Sequence, residues 1–331
     1  MLSLHSRFPG TKKLEYVTLG CFPTPVEPAP ELARQLGLRS LLVKRDDISG
    51  SAYGGNKVRK LEFLLGQALA ERRRAVITFG AVGSNHVRAT AVYGQQLGLQ
   101  VHALLAPQPS TPYLEANLRA DRAAGATLNF VASYAEALRR GAELRDEIAR
   151  QDGIEPLVIP FGGTNSRGTI GFVNAGIELA AQIQAGALPE PDLVYVPYGS
   201  TGTASGLALG LAAVGLRTSV VAVRVVPAES SNPERTRRVM EETVALLRES
   251  DAGFPLVRPE SAAVEVRDGF LGEEYAAATA ESLEAVALAE AAHIHIETTY
   301  TGKAMAALVA DARAGKLGGK TALFWNTYSS R

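Results

Sequence analysis

A lysine that follows paired glycines is the residue in this sequence best suited to covalent chemistry. Lys57 comes after Gly54, Gly55 and Asn56, at the start of a helix predicted over residues 57–71. The glycines let the backbone approach a ligand closely, and Asn56 is a candidate N-cap. The positive end of a helix disfavours a cation, so Lys57 loses its proton more readily, and a neutral amine attacks carbonyl groups. Taken alone, however, a lysine is far more often simply exposed to solvent.

A second glycine-rich loop has the features of a phosphate site. An apolar strand predicted over Leu193–Tyr198 leads into the loop Gly199–Gly206, and the helix predicted after it begins at Thr203 or at Leu207 and ends at Val214. Backbone N–H groups, loop hydroxyls and a helix end together attract an anion. The loop lacks the Walker A and GxGxxG patterns, so neither a nucleoside triphosphate nor a dinucleotide is favoured. An ordinary glycine-rich turn is the alternative interpretation.

A third loop joins a predicted strand to a predicted helix at Ser84-Asn85-His86. The N–H groups at such a helix start can hold a carboxylate. The alternative is that Ser84 only caps the helix.

These three segments and three others resemble, in order from about Phe22 to Thr327, the family of D-cysteine desulfhydrases and 1-aminocyclopropane-1-carboxylate (ACC) deaminases. That family consists of fold-type II pyridoxal-phosphate enzymes, related more distantly to the tryptophan synthase β chain. The most specific block is GGNKVRKLEFLL, which contains Lys57 and Lys60. The resemblance implies that Lys57 holds pyridoxal 5'-phosphate covalently and that Lys60 reaches its phosphate.

The same resemblance assigns roles to the other loops. Ser84 and His86 would bind the substrate carboxylate, and Asn85 would contact the ring oxygen of the cofactor. Gly83 stands where the family has glutamine, a change expected to widen the pocket. The phosphate would be bound by Gly199, Ser200, Thr201, Gly202 and Thr203.

Two tyrosines and a threonine complete the predicted site. Tyr300 lies in a block that resembles the family's Asp-Pro-Val-Tyr-Thr-Gly-Lys segment, which makes it a candidate acid/base or positioning group, whereas Lys303 is expected to be structural. Tyr275 resembles a second active-site tyrosine, but a core or surface tyrosine is an equal alternative. Thr327 would face the pyridine nitrogen, although residues 326 and 328–330 depart from the family pattern. A hydroxyl there weakens the electron sink, which favours expulsion of a β leaving group.

The function implied is α,β-elimination from a small β-substituted amino acid, with D-cysteine giving pyruvate, sulfide and ammonia. ACC deaminases carry glutamine where His86 stands and glutamate where Thr301 stands, so both positions favour the desulfhydrase. ACC deamination, β-replacement, and binding of an amino acid or pyridoxal phosphate without turnover remain open.

The elements that position these residues alternate in a way typical of an α/β fold. Strands separated by helices of ten to fifteen residues predict parallel sheets covered on both faces. The resemblance implies two lobes of three-layer αβα architecture with parallel-rich twisted sheets: a large cofactor-binding lobe of residues 1–52 and 166–331, and a small lobe of residues 53–165. Residues 1–30 are predicted to form an extended arm, and residues 273–290 a helix.

Composition limits the binding partners, covalent cross-links and metal sites that can be expected. The 331 residues include 34 basic and 34 acidic side chains, which gives no sign of a nucleic-acid or membrane partner. A single Cys21 and the absence of metal-ligand spacings predict neither disulfide nor metal. The N-terminus lacks an apolar signal core. A cytoplasmic protein is therefore expected, and a homodimer is implied by the resemblance alone.

Overall fold

Residues 1–330, which are those that the computed structural model describes, form two sheets flanked by helices. The strands are β1 (Val26–Pro28), β2 (Ser40–Lys44), β3 (Ala75–Ala81), β4 (Gln100–Ala106), β5 (Thr127–Phe130), β6 (Leu157–Ile159), β7 (Leu193–Tyr198), β8 (Ser219–Arg224), β9 (Val264–Arg267) and β10 (Thr321–Trp325). The helices are α1 (Ser3–Arg7), α2 (Pro30–Gln35), α3 (Lys57–Ala70), α4 (Asn85–Gln96), α5 (Leu114–Ala123), α6 (Tyr134–Asp152), α7 (Ser166–Gln184), α8 (Gly202–Ala213), α9 (Pro233–Ser250), α10 (Ala280–Ala291) and α11 (Thr301–Arg313).

The larger sheet has the strand order β1-β2-β10-β7-β8-β9. Only β1 runs antiparallel to its neighbour; every other pair is parallel. The smaller sheet has the order β5-β4-β3-β6 and is parallel throughout. Because parallel strands end at the same edge, each sheet presents its loops to one side, where ligands of such sheets bind.

Apolar residues cover both faces of the larger sheet. Along β10, Leu323 and Trp325 pack into one core with helices α7, α8 and α9, whereas Ala322 and Phe324 pack into another with α2, α10 and α11. Strands buried on both faces read as continuous apolar runs, which is why β7 and β10 are recognisable in the sequence. The predicted α/β fold with covered, parallel-rich sheets is confirmed.

Helix α3 is shared by the two halves of the molecule. Its residues Val58, Leu61 and Leu65 pack against the smaller sheet. Its opposite face packs on α7 so closely that a Cβ on Gly171 would lie 2.1 Å from the Arg59 carbonyl oxygen. The predicted lobe boundaries at 52/53 and 165/166 stay a prediction.

A buried charge cluster fixes α3 to the larger sheet. Arg59 pairs with Asp46 at 2.8 Å and with Glu178 of α7 at 2.9 Å, and Lys44 at the end of β2 pairs with Glu178 at 2.7 Å. The Trp325 indole N–H donates to Asp46 at 2.8 Å. The four charges balance and are buried, an arrangement in which removal of one partner leaves an uncompensated buried charge. The cluster therefore holds the start of α3, where Lys57 lies, against the larger sheet.

Three sequence predictions differ from the structure. The arm contains α1, anchored by a 2.9 Å hydrogen bond from the Leu4 N–H to Asn174. Helix α8 begins at Gly202, one residue before the predicted start at Thr203 and five before the alternative start at Leu207, so residues 202–206 of the glycine-rich loop form its first turns. Residues 273–279 are not helical, because a capping box between Thr279 and Ser282 starts α10 at residue 280. Strand β9 was not predicted; pairing with β8 defines it.

Between residues 1 and 330, no helix is long and apolar enough to span a lipid bilayer.

Candidate active site

A cleft of about 530 Å³ lies where the carboxyl ends of the two sheets meet. It is lined by residues at or after the ends of β3, β6, β7, β8 and β10, and by the start of α3. Eleven of the thirteen predicted site residues line it: Lys57, Ser84, Asn85, His86, Gly199, Ser200, Thr201, Thr203, Tyr275, Tyr300 and Thr327. The other two, Lys60 and Gly202, lie directly behind the lining.

Lys57 occupies the first position of α3, as predicted, and its side chain enters the cleft. Among residues 1–330, its Nζ makes no hydrogen bond or ion pair. Burial lowers the pKa of Lys57 to about 8, with no charged partner to offset it. Asn56 stands at the N-cap position but does not cap: its backbone is already helical, and its amide donates to Thr203 Oγ1 at 3.1 Å. Asn56 therefore links the Lys57 helix to the Gly199–Thr203 loop.

The glycine-rich loop lies beside Lys57 and Lys60. A Cβ on Gly162 would lie 2.4 Å from Ser200 Oγ and 3.8 Å from Lys57 Nζ, and a Cβ on Gly202 would lie 3.0 Å from Lys60 Nζ. Thr201 has a φ of 73°, which a β-branched residue rarely adopts. Its buried Oγ1 has no hydrogen-bond partner within residues 1–330. Strained, unpaired groups of this kind cluster at ligand sites.

Lys60 supplies a buried amine to this loop, and the amine has no carboxylate partner in the described chain. Its Nζ donates to Thr164 Oγ1 at 2.9 Å and to the Gly162 carbonyl at 3.1 Å, both neutral acceptors. Burial, together with the charges of Lys57 and Arg235, holds the pKa of Lys60 well below its usual value. A phosphate would compensate this buried amine, would accept from the orphaned Thr201 hydroxyl and would face the start of α8. The residues present therefore fit a cofactor that carries both a phosphate and a carbonyl group.

The Ser84-Asn85-His86 segment opens α4 at the other side of the cleft. Ser84 Oγ accepts from the Val87 N–H at 3.3 Å, so Ser84 caps the helix and also faces the cleft. Asn85 Oδ1 is held by Asn117 at 3.1 Å and by Tyr53 at 3.3 Å.

The His86 ring is neutral, and only one of its two nitrogens has a hydrogen-bond partner in the described chain. Its Nε2 bonds to Thr78 Oγ1 at 3.0 Å, while Nδ1 is buried without a partner in the described chain. Burial and the nearby amines of Lys57 and Lys60 keep the pKa of His86 well below its usual value.

Gly83 does not face the cleft. A Cβ at this position would meet the Gln108 side chain at 3.0 Å, and the Gly83 N–H donates to Gln108 Oε1 at 3.1 Å. The expectation that Gly83 widens the pocket is wrong, since Gln108 occupies the adjacent space.

Tyr275 and Tyr300 meet in the cleft. Their hydroxyl groups share a hydrogen bond, and their ring centroids lie 6.1 Å apart, edge to face. Burial raises the pKa of both hydroxyls, and for Tyr300 the neighbouring Tyr275 adds to the effect. Both phenols are thus protonated donors near neutral pH. The structure places Tyr275 in the cleft, and not in the core or on the outer surface.

An acidic group that sequence reasoning missed lines the same corner. The Glu297 carboxylate accepts from the N–H groups of Thr299, Tyr300 and Thr301, at 2.6, 2.9 and 2.9 Å, and caps α11. Thr301, by contrast, is buried and bonds Glu297 through its hydroxyl at 3.0 Å. Position 301 therefore faces the cap, and Glu297 contributes a carboxylate to the border of the cleft.

The end of β10 contributes Thr327 and Tyr328. The Thr327 carbonyl accepts from the Asn56 N–H at 3.1 Å, which ties the end of the chain to the start of α3. Tyr328, at one of the positions that depart from the family pattern, places its ring in the cleft, 5.6 Å from His295 and 6.5 Å from Tyr113. Lys303 donates to the Leu271 carbonyl at 2.5 Å, away from the cleft, in agreement with a structural role.

Comparisons with known proteins agree with this geometry. A family model described as "Pyridoxal-phosphate dependent enzyme" matches residues 17–327. The nocardicin C-9' epimerase of Nocardia uniformis subsp. tsuyamanensis is 39% identical over 323 residues, which cover 96% of this chain and 94% of that protein. The D-cysteine desulfhydrase of Klebsiella pneumoniae (strain 342) is 36% identical over 293 residues, 87% of this chain and 85% of that protein. A crystal structure of an ACC deaminase homologue matches with a TM-score of 0.83 and 31% identity, covering 98% of this chain and 94% of that one.

Proposed function

The chain belongs to the family of pyridoxal-phosphate-dependent enzymes, and on that premise we propose that it is a lyase that carries out α,β-elimination on a small β-substituted amino acid. The observation that carries the proposal is the unpaired amine of Lys57, which shares one cleft with the cradle made by Lys60 and the loop around Thr201. With D-cysteine and water, the products are pyruvate, ammonia and hydrogen sulfide.

Pyridoxal phosphate, when bound, accepts the electron pair left at Cα. Lys60, Thr201 and the start of α8 would hold its phosphate, and the Lys57 amine would hold its carbonyl carbon covalently. The Lys57 amine, with its pKa lowered to about 8, is suited to take the proton from Cα of a substrate bound in the cleft.

The remaining roles are those that the resemblance implies, and the positions of these residues support them. The start of α4 at Ser84 and His86 binds the substrate carboxylate, and Asn85, held in place by Asn117, orients the ring of the cofactor. Tyr300 is kept protonated by burial and by Tyr275, so it donates to the departing β-substituent.

A screen for 2-oxo acid release tests the proposal. The substrates are D-cysteine, L-cysteine, β-chloro-D-alanine, D-serine and ACC. We expect release from at least one of the β-substituted compounds, and we expect Lys57→Ala to abolish both turnover and the borohydride-sensitive visible absorbance. Substantial turnover by Lys57→Ala would rule out the role of the lysine. Colour without an oxo acid from any substrate would favour a protein that binds pyridoxal phosphate without turnover.

ACC deamination is the first alternative. His86 still favours the desulfhydrase, but the argument from Thr301 is weaker because Glu297 supplies a carboxylate at that corner. Activity on ACC alone would establish the alternative.

A second candidate function is inversion at Cα, favoured by the 39% identity to a protein named as an epimerase. The cleft contains both a base, Lys57, and a proton donor, Tyr300. If inversion were the reaction, a single enantiomer incubated in D₂O would lose optical purity and gain deuterium at Cα without release of an oxo acid.

We also propose that the protein is a cytoplasmic homodimer with a small lobe of residues 53–165 and a large lobe formed by the rest. The separate four-stranded and six-stranded sheets support the division. Sedimentation of the purified chain tests the dimer, and limited proteolysis tests the boundaries.

A further inference from the structure

The outer part of the cleft is walled by apolar side chains to which the proposed chemistry gives no role. Gly162 lies beside the Lys57 amine, and Phe161 precedes it in the chain. The Phe161 ring lies 5.3 Å from Tyr134 and 5.3 Å from Phe79. Leu138 follows Tyr134 by one helical turn on α6. A series of neighbouring apolar side chains, hereafter the apolar path, therefore leads from Gly162, beside the Lys57 amine, through Phe161 to Tyr134 and Leu138.

Two residues of this path are exposed on a helix whose outer face is otherwise charged. The buried stripe of α6 consists of Ala137, Gly141, Leu144 and Ile148. The outer face carries ion pairs between arginines and glutamates over residues 136–147. Tyr134 and Leu138 belong to neither set: they are 46% and 54% exposed, and both line the cleft. Neighbouring exposed apolar groups at the edge of a cleft are typical of a ligand surface.

The loop after β8 adds further apolar lining, beside Glu229 and Ser230 of the same loop, which also line the cleft. Val226 and Pro227, which follow β8, line the cleft together with Phe161 and Leu138. The polar groups of Ser84, the Lys57 amine and the tyrosine hydroxyls belong to the inner end. Cysteine has only one non-hydrogen atom beyond Cβ, so it has nothing to place against the outer walls.

We infer that the cleft selects amino acids whose β-substituent extends into an apolar or aromatic group, such as an S-aryl or S-benzyl cysteine. The inference rests on the proposed lyase function and names its substrate class. With S-benzylcysteine, the Cβ–S bond breaks, the sulfur leaves with a proton as phenylmethanethiol, and one water is consumed as pyruvate and ammonia form. Desolvation of a phenyl ring against these walls corresponds to about a 10- to 100-fold gain in kcat/KM over cysteine, carried mainly by KM.

The test compares Leu138→Asp with Leu283→Asp. Leu283 is a matched control because it is 56% exposed on α10 and does not line the cleft. In the wild-type holoenzyme we expect kcat/KM for S-benzylcysteine to exceed that for cysteine. Leu138→Asp should reduce the ratio of the two values about tenfold or more, whereas Leu283→Asp should leave the ratio unchanged. A ratio below one in the wild type, or an equal effect of Leu138→Asp on both substrates, would overturn the inference.

Binding is measured separately so that the two proposals fail differently. Thermal stabilisation of the holoenzyme by S-benzylcysteine and by cysteine reports binding even where no oxo acid is released. If no oxo acid forms from any substrate, the lyase proposal fails, yet stronger stabilisation by S-benzylcysteine, lost in Leu138→Asp, still supports the apolar subsite. Sedimentation provides the last control. If the Leu138→Asp protein dissociates into smaller species but keeps its preference for S-benzylcysteine over cysteine, Tyr134 and Leu138 lie in an interface between copies of the chain. That result would contradict the inference.

Discussion

The pKa of Lys57 can be tested directly in the cofactor-free protein by its reactivity toward an amine-specific reagent. Only the neutral amine reacts. With a pKa of about 8, caused by burial alone, the neutral fraction of Lys57 rises from about 9% at pH 7 to about 91% at pH 9. A lysine at the usual value of about 10.4 would change about a hundredfold over the same interval.

We therefore expect the labelling rate of Lys57 to rise about tenfold between pH 7 and pH 9 and then to level off. The assay is competitive labelling with a small acylating reagent, with the peptide that contains Lys57 quantified by mass spectrometry. Free N-acetyl-lysine methylamide in the same tube corrects for the effect of pH on the reagent. Lys12, an exposed lysine of the first 3₁₀ turn, provides an internal comparison.

A rise of about a hundredfold without a plateau would show that burial does not perturb Lys57, and the reasoning from the cleft would fail. Pyridoxal phosphate added before labelling should protect Lys57 but not Lys12. Protection of both residues, or of neither, would contradict the assignment of Lys57 as the cofactor lysine.

Two further predictions concern the groups behind Lys57. Lys60→Met should weaken binding of pyridoxal phosphate about 10- to 100-fold, the value of a charge-assisted hydrogen bond, and should leave binding of pyridoxal, which lacks the phosphate, unchanged in equilibrium dialysis; an equal loss for both ligands would contradict the phosphate role. Asp46→Asn should lower the free energy of unfolding by about 3–5 kcal/mol, because Arg59 loses one of its two buried carboxylate partners. Urea denaturation measures this loss, with Glu31→Gln at an exposed ion pair as the control; similar midpoints for the two variants would show that the cluster contributes nothing.

Residues within local motifs were found from the sequence. Lys57, Thr201 and Ser84 each lie where a strand or loop gives way to a helix, and such junctions have a recognisable composition. The tyrosine of the Glu297–Lys303 block was found through the resemblance. These groups meet in one cleft because parallel strands bring their carboxyl ends to the same edge.

Residues outside such motifs were missed for a physical reason. Leu138 has no distinctive neighbours in the chain, and although Phe161 precedes the pair Gly162-Gly163, the place of both residues in the cleft follows from how α6 and the end of β6 pack. Glu297 replaces an aspartate of the family block, and only the structure shows that its carboxylate caps α11. Helix α8 was predicted to begin too late because glycine and threonine favour loops, whereas burial of this segment holds it helical.

The sharing of α3 between the two sheets limits how the cleft can open. The Arg59 face of this helix is held by paired charges and by the close approach of Gly171, whereas Leu61 and Leu65 pack against the smaller sheet in an apolar cluster. Sliding of one apolar surface over another costs little free energy. Separation of a buried ion pair costs much more, because it leaves each charge buried without its partner. When the cleft opens, the four-stranded sheet, with Ser84 and Leu138, would therefore move relative to α3, and α3 would stay fixed to the larger sheet. The distance between the Lys57 amine and the phosphate-binding groups, Lys60 and the loop around Thr201, would therefore stay the same through every catalytic cycle.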